Sequence, residues 1–196
     1  MILQGSRLSQ QTSERVRRSR STTDATNLSR LAERALELAA QRNASIVTAE
    51  SCTAGKLAAV LSEAPGAAER LHGSFVTYTK ANKTKSLGVS AALLKRKGAV
   101  CREVAVAMAE GALVRSPATL AVSITGVAGP DPDEDGNPVG LVCIAVARVN
   151  GKTVHLERRY GEVGRDAVQE HAMADALAAL IGVVETYGDW DAAPTD

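Results

Sequence analysis

The stretch "TLAVSIT", residues 119–125, constrains this chain more than any other. It is apolar at nearly every position, so a strand with one face in water is excluded and a central strand covered on both faces is expected. Coverage on both faces calls for helices above and below a sheet, which is a three-layer α/β/α arrangement. The composition agrees. Hydrophobic residues make up 45% of the 196 residues and aromatics only 3%, so the core must be built from Ala, Val, Leu and Ile.

The rest of the chain can be read around that strand. "DATNLSRLAERALELAAQRN" carries Leu28, Leu31, Ala35 and Leu38 at helical spacing, with Asp24 or Thr26 as cap candidates and Asn43 as a stop. "SIVTA" predicts a short buried strand, "AGKLAAVLSEAPG" a helix ended by Pro65-Gly66, and "SFVTYT" a second strand. "KANKTKSLGV" reads as a polar turn or short helix. Ser90 caps "AALLKRK", which Gly98 stops, and "CREVAVAMAEGALVRS" is a longer helix ended before Pro117. "VGLVCIAVARV" and "TVHLERRY" flank Asn150-Gly151, a strong hairpin signal, so Val139–Val149 should pair antiparallel with Thr153–Tyr160. A last helix from Arg165 to Tyr187 places Met173, Leu177, Leu180, Ile181 and Val184 on one stripe. The expected fold class is a single α/β domain with a mixed, mostly parallel sheet and one C-terminal hairpin.

The ends have another character. Residues 1–23 hold Arg7, Arg15, Arg17, Arg18 and Arg20 against Glu14 alone, a balance of +4 that leaves −3 for the remainder of a chain of net charge +1. This leader is expected to be disordered, and residues 188–196 an acidic tail, with the domain spanning 24–187. No apolar run is expected to span a bilayer. Basic and aromatic residues do not interleave in the body, so neither nucleic acid nor membrane is an expected partner. Cys52, Cys101 and Cys143 form no C-x-x-C pair, and His72, His155 and His171 show no ligand spacing. No metal and no cofactor is expected, and a reducing cytoplasm is the natural setting. The Ala-rich helices leave room for a homodimer or larger homo-oligomer.

Three polar segments fall where strands should lead into loops: "TAESCTAGK", "TYTKANK" and "TGVAGPDPD". Ligands sit beyond the carboxyl ends of strands in open α/β sheets. Each segment has a structural explanation: Ser51 and Thr53 as helix caps, Glu50 as a first-turn carboxylate, Gly126 to Gly129-Pro130 as a tight turn, the lysines as a solvated face. Together they describe a reaction site. A serine at a strand-to-helix turn sits where backbone N–H groups stabilise an oxyanion, and the small Ala54 and Gly55 admit a substrate to that backbone. The serine needs a base. With no histidine in these segments, the bases on offer are Lys83, Lys80, Glu50 and, as a relay, Tyr78, a lysine serving if burial lowers its pKa. Cys52 is the rival nucleophile.

The ordered segments "TAESCTAG", "GSFVTYTKANKTKSLGV", "GAVCREVAVAMAEGAL", "AVSITGVAGPD" and "PVG" resemble the C-terminal domain of the CinA family, the competence/damage-inducible proteins, over residues 25–187. Stand-alone members of that family include nicotinamide-nucleotide amidohydrolases. The resemblance implies hydrolysis of nicotinamide mononucleotide to nicotinate mononucleotide and ammonia, with a small-molecule nucleotide as the substrate. It puts the catalytic roles on Ser51, Tyr78 and Lys83. Substrate binding falls to Glu50, Cys52, Thr53, Ala54, Gly55, Gly126, Gly129, Pro130 and Arg165, the last of these on the phosphate. Three positions depart from the family pattern: Ala54 for a glycine, Lys80 for an asparagine, and the charged Asp133–Asn137 loop for a glycine-richer one. Two other readings of the same residues are a catalytically silent nucleotide-binding or interaction module, and an amidase for another small carboxamide.

Overall fold

A computed structural model describes residues 26–186. The leader at 1–23, the tail at 188–196 and the cap candidate Asp24 lie outside the described residues.

Helix α1 occupies residues 26–41. It ends where expected, at Asn43, which takes a left-handed φ of 48° while the Ala44 amide returns to the Ala39 carbonyl at 2.8 Å. The chain continues as β1 (Ile46–Glu50), α2 (Lys56–Glu63), α3 (Ala67–Arg70), β2 (Leu71–Val76), α4 (Lys80–Leu87), α5 (Ala91–Lys97), α6 (Arg102–Val114), β3 (Leu120–Gly126), β4 (Leu141–Arg148), β5 (Val154–Arg159) and α7 (Arg165–Thr186). The one-turn helix α3 is not anticipated by the sequence pattern. Ser90 caps α5, its hydroxyl accepting from the Leu93 amide at 3.3 Å.

The five strands lie in the order β2-β1-β3-β4-β5. β1 pairs parallel with both β2 and β3, whereas β3–β4 and β4–β5 are antiparallel. The sheet is therefore mixed, with a parallel half leading to the site and an antiparallel half behind it. The hairpin is wider than its Asn-Gly signal suggests. Its last paired residues are Val146 and Val154, and only Asn150 within it is a non-glycine residue at positive φ.

Side-chain size divides the two faces. Val142, Ile144 and Val146 of β4 and Leu120, Val122 and Ile124 of β3 point to the side covered by α1, α2 and α7. Ala121, Cys143, Ala145 and Ala147 point to the side covered by α4, α5 and α6. The small residues let α6 lie close against the sheet, near enough for Ser123 Oγ to donate to the Ala105 carbonyl at 2.7 Å. Gly111 carries the closeness onward, because a Cβ there would sit 2.1 Å from the Leu87 carbonyl of α4. By length and composition alone α7 could cross a membrane. Its apolar stripe is instead spent on the core, where Ala172, Leu177, Leu180 and Val184 are fully buried. It is a core helix.

Candidate active site

The parallel strands β1 and β3 end side by side, and a cleft of about 500 Å³ opens beyond them. That size lies within the range of about 300–1,000 Å³ usual for small-molecule sites. Its floor is the turn that follows β1. Ser51 is tied to the end of β3 by its amide, which donates to the Ile124 carbonyl at 2.9 Å.

Glu50 decides the shape of this turn, and it does so by serving the helix start, not by binding in the cleft. Its side chain is fully buried and folds back beneath α2, away from the cleft. The carboxylate accepts from the amides of Gly55, Leu57 and Ala58 at 2.9, 3.1 and 2.9 Å, and from the hydroxyls of Thr53 and Thr48 at 2.7 and 3.1 Å. It thus satisfies amides that a helix N-terminus leaves open, in a position the dipole favours. Gly55 is the N-cap of α2 with no side-chain cap bond, so neither Ser51 nor Thr53 caps the helix. Ala54 stands at φ 52° and Gly55 at φ 93°. The left-handed conformation costs an alanine about 1–2 kcal/mol, which is a physical reason for a glycine at the Ala54 position.

Lys83, on the inner face of α4, completes the floor. It is 0% exposed. Its Nζ lies 2.8 Å from Ser51 Oγ and donates to the Thr77 carbonyl oxygen at 2.7 Å. Thr77 is itself pinned, since its amide donates to the Glu50 carbonyl at 2.8 Å. Burial pulls the Lys83 ammonium down to about 8, because an unsolvated charge is disfavoured. The same burial pushes the Cys52 thiol up to about 12, so Cys52 is a neutral thiol in the cleft wall.

The carbonyl of Ser51 takes the Ala54 amide at 3.1 Å, and Gly55 is engaged by Glu50. Cys52 lines the cleft, and its N–H is the turn's candidate oxyanion donor; Thr53 is fully buried and lies off the cleft.

Tyr78 stands at the mouth, 60% exposed, and makes no hydrogen bond to Ser51 or Lys83 among the described residues. Gly126, Gly129 and Arg165 line the opposite wall. Gly126 is required by packing, since a Cβ there would meet Val142 Cγ2 at 2.7 Å and the Leu141 carbonyl at 2.8 Å. The Arg165 guanidinium donates to the Gly129 carbonyl, which ties the start of α7 to the glycine loop. Thr53, Ala54, Gly55 and Pro130 do not line the cleft. Ser51, Cys52, Tyr78, Lys83, Gly126, Gly129 and Arg165 are brought together.

Two of the departures from the family pattern meet. Lys80 Nζ pairs with Asp135 at 2.7 Å and Glu134 at 2.8 Å on the cleft rim. Asp133 is spent within its own loop, accepting from the amides of Asp135 and Asn137 at 3.0 and 2.8 Å. The loop's added charge is thus largely answered before any ligand arrives. Sequence reasoning missed the Thr77 carbonyl, which leaves no side-chain signal, and Ala99 and Val100 of the wall.

The family profile of the CinA C-terminal domain matches residues 28–184. The chain is 41% identical to a nicotinamide-nucleotide amidohydrolase PncC of Pseudomonas putida, over 71% of this chain and 86% of that protein. It is 39% identical to the protein of that name from Escherichia coli K12, over 78% of this chain and 92% of that one. A CinA-like protein of Mycolicibacterium vanbaalenii is 53% identical over 56% of this chain, a match that spans 26% of its own length. Among solved structures, the competence/damage inducible protein CihA from Agrobacterium tumefaciens superposes with a TM-score of 0.77 at 40% identity, covering 80% of this chain and 95% of that one. The chain belongs to the CinA C-terminal domain family.

Proposed function

We propose that this protein hydrolyses the carboxamide of nicotinamide mononucleotide, giving nicotinate mononucleotide and ammonia, with Ser51 as nucleophile and Lys83 as its base. The observation that carries the mechanism is the buried Lys83 Nζ at 2.8 Å from Ser51 Oγ. The substrate class rests on the two amidohydrolase relatives.

A lysine amine with its proton removed keeps two N–H donors and one lone pair. One donor goes to the Thr77 carbonyl, and the lone pair then faces the Ser51 hydroxyl and accepts its proton. Ser51 Oγ attacks the amide carbon as that proton moves to Lys83. The oxyanion is received by the N–H group of Cys52. Collapse of the tetrahedral adduct breaks the C–N bond, and Lys83 returns the proton to the departing ammonia. Water, deprotonated by the same amine, attacks the acyl-serine; as the ester bond breaks and the acid leaves, Lys83 returns that proton to Ser51 Oγ. Tyr78 supplies a wall for the pyridine ring, and Arg165 with the Ala128–Gly129 backbone supplies the phosphate end. A fully buried Lys83 against Ser51 favours a catalyst over a silent module. The three free thiols fit a reducing cytoplasm.

Ammonia release from nicotinamide mononucleotide, nicotinamide riboside and nicotinamide, followed with the purified protein, tests this reading. The mononucleotide should be the best substrate. Ser51→Ala should lose roughly 10⁴-fold or more, and Cys52→Ser should stay near wild type. Turnover that survives in Ser51→Ala ends the serine mechanism; preference for an unphosphorylated amide ends the nucleotide assignment.

A further inference from the structure

The nucleophile turn is braced by a residue far along the chain. Gln169, on α7 and only 5% exposed, donates from Nε2 to the Cys52 carbonyl oxygen at 2.6 Å. Its Oε1 accepts from Lys56 Nζ at 2.6 Å. The lysine settles the orientation of the amide, because an ammonium only donates and must face the oxygen. The NH₂ group is then committed to Cys52.

The Cys52 carbonyl and the Thr53 N–H belong to one planar peptide and point in opposite directions. A carbonyl drawn toward α7 therefore turns the Thr53 N–H away from α7. The plane is held on its other side as well, because the Thr53 hydroxyl is fixed on Glu50 at 2.7 Å. Rotation of this peptide would swing Cys52, which lines the cleft and whose N–H adjoins Ser51. Gln169 also lies one helical turn after Arg165, which holds the Gly129 carbonyl. One face of α7 thus fixes both the nucleophile turn and the glycine loop.

We propose that Gln169 is a positioning residue: by holding the Cys52 carbonyl it fixes the turn that presents the Ser51 hydroxyl and the Cys52 N–H to the reacting carbonyl. This rests on the serine-amidase reading above. A donor aimed at developing charge acts in the transition state and not on bound substrate, so its misdirection lowers kcat and spares KM.

The test compares Gln169→Met and Gln169→Glu with the wild-type full chain, using nicotinamide mononucleotide, ammonia release and thermal melting. The methionine variant keeps the volume and loses the donor. Its kcat should fall about tenfold to hundredfold, somewhat less than outright deletion of an oxyanion donor, with KM within about twofold. The glutamate variant keeps an acceptor for Lys56 but sets a carboxylate oxygen against the Cys52 carbonyl. Its kcat relative to wild type should recover as pH falls, because the protonated acid regains a donor, while the ratio for the methionine variant stays flat. Wild-type kcat in Gln169→Met with a lowered melting temperature would reduce Gln169 to a structural brace and overturn the inference. If Gln169→Met does not fold, the pH dependence of the glutamate ratio decides, a flat ratio overturning the proposal. Failure of the underlying reading looks different: Ser51→Ala stays active, and both fall together.

Discussion

Two lysines one turn apart on α4 have opposite surroundings. Lys83 is fully buried, has no carboxylate partner among the described residues, and is pulled down to about 8 by loss of solvent. Lys80 sits on the rim between Asp135 and Glu134, and those carboxylates raise its pKa. The same side chain is a base in one place and a fixed cation in the other. Residue type does not assign the role; three positions along a helix, and the burial they bring, do.

The sharpest way to break this comparison is to exchange the two fates. Lys83→Met should cost about 10³-fold or more in kcat, and Ser51→Ala added to it should cost little further, since the pair acts as one unit. Steady-state ammonia assays on the single and double variants check this. In the wild type, kcat should rise as pH rises through about 8, the value at which Lys83 releases its proton. A rate that is flat from pH 6.5 to 9.5 would take the base role from Lys83.

Glu50→Ala tests whether the floor is as tightly held as the rim is loose. Three amides and two hydroxyls lose their acceptor there. The loss should be about 3 kcal/mol or more of unfolding free energy, since unsatisfied buried donors cost about 1–3 kcal/mol each. Denaturant melts measure it.

Arg165→Ala, on the far wall, should weaken nicotinamide mononucleotide by roughly tenfold to hundredfold, the worth of a charge-assisted contact of about 1.5–3 kcal/mol. Nicotinamide riboside, which lacks the phosphate, should be nearly unaffected. Equal losses on the two would remove Arg165 from phosphate binding.

Lys80→Ala should do least. Exposed ion pairs are worth about 0–1 kcal/mol, so stability should hardly move and kcat/KM should change less than about fivefold. A loss comparable to Lys83→Met would mean that the rim pair takes part in the chemistry.

Much of this arrangement was legible beforehand because strand ends announce themselves. The buried run ending at Ile124 and the polar residues after Val47 pointed to the cleft; the need for a nucleophile and a base left several candidates, and the family resemblance chose Ser51 and Lys83 among them. Glu50 was misplaced for a physical reason. A carboxylate beside a serine looks the same in sequence whether it faces the ligand or turns back under a helix, and only the path of the turn decides. Lys80 and Asp135 read as two unrelated departures because their link spans 55 positions. The Cys52–Gln169 bond spans 117. The Thr77 carbonyl carries no residue-type signal at all, since every residue has one. The hairpin was placed correctly, but its turn was read as residues 150–152, whereas the pairing stops at Val146 and Val154 and the Asn-Gly pair sits inside a wider loop.

The burial of Lys83 reaches beyond the reaction to the folding equilibrium itself. Unfolded, this amine returns to the usual lysine value of 10.5; folded, it releases its proton near 8. Between those values the unfolded chain carries a proton that the native chain does not, so folding expels one proton and stability rises with pH across the window. Below about 8 both states are charged, and the native state bears the whole cost of an ammonium without water. Above about 10.5 that cost is gone. The molecule therefore works at the lower edge of a range over which alkali tightens it, and a melting curve followed from pH 7.5 to 10.5 would record its general base as a titration of the fold.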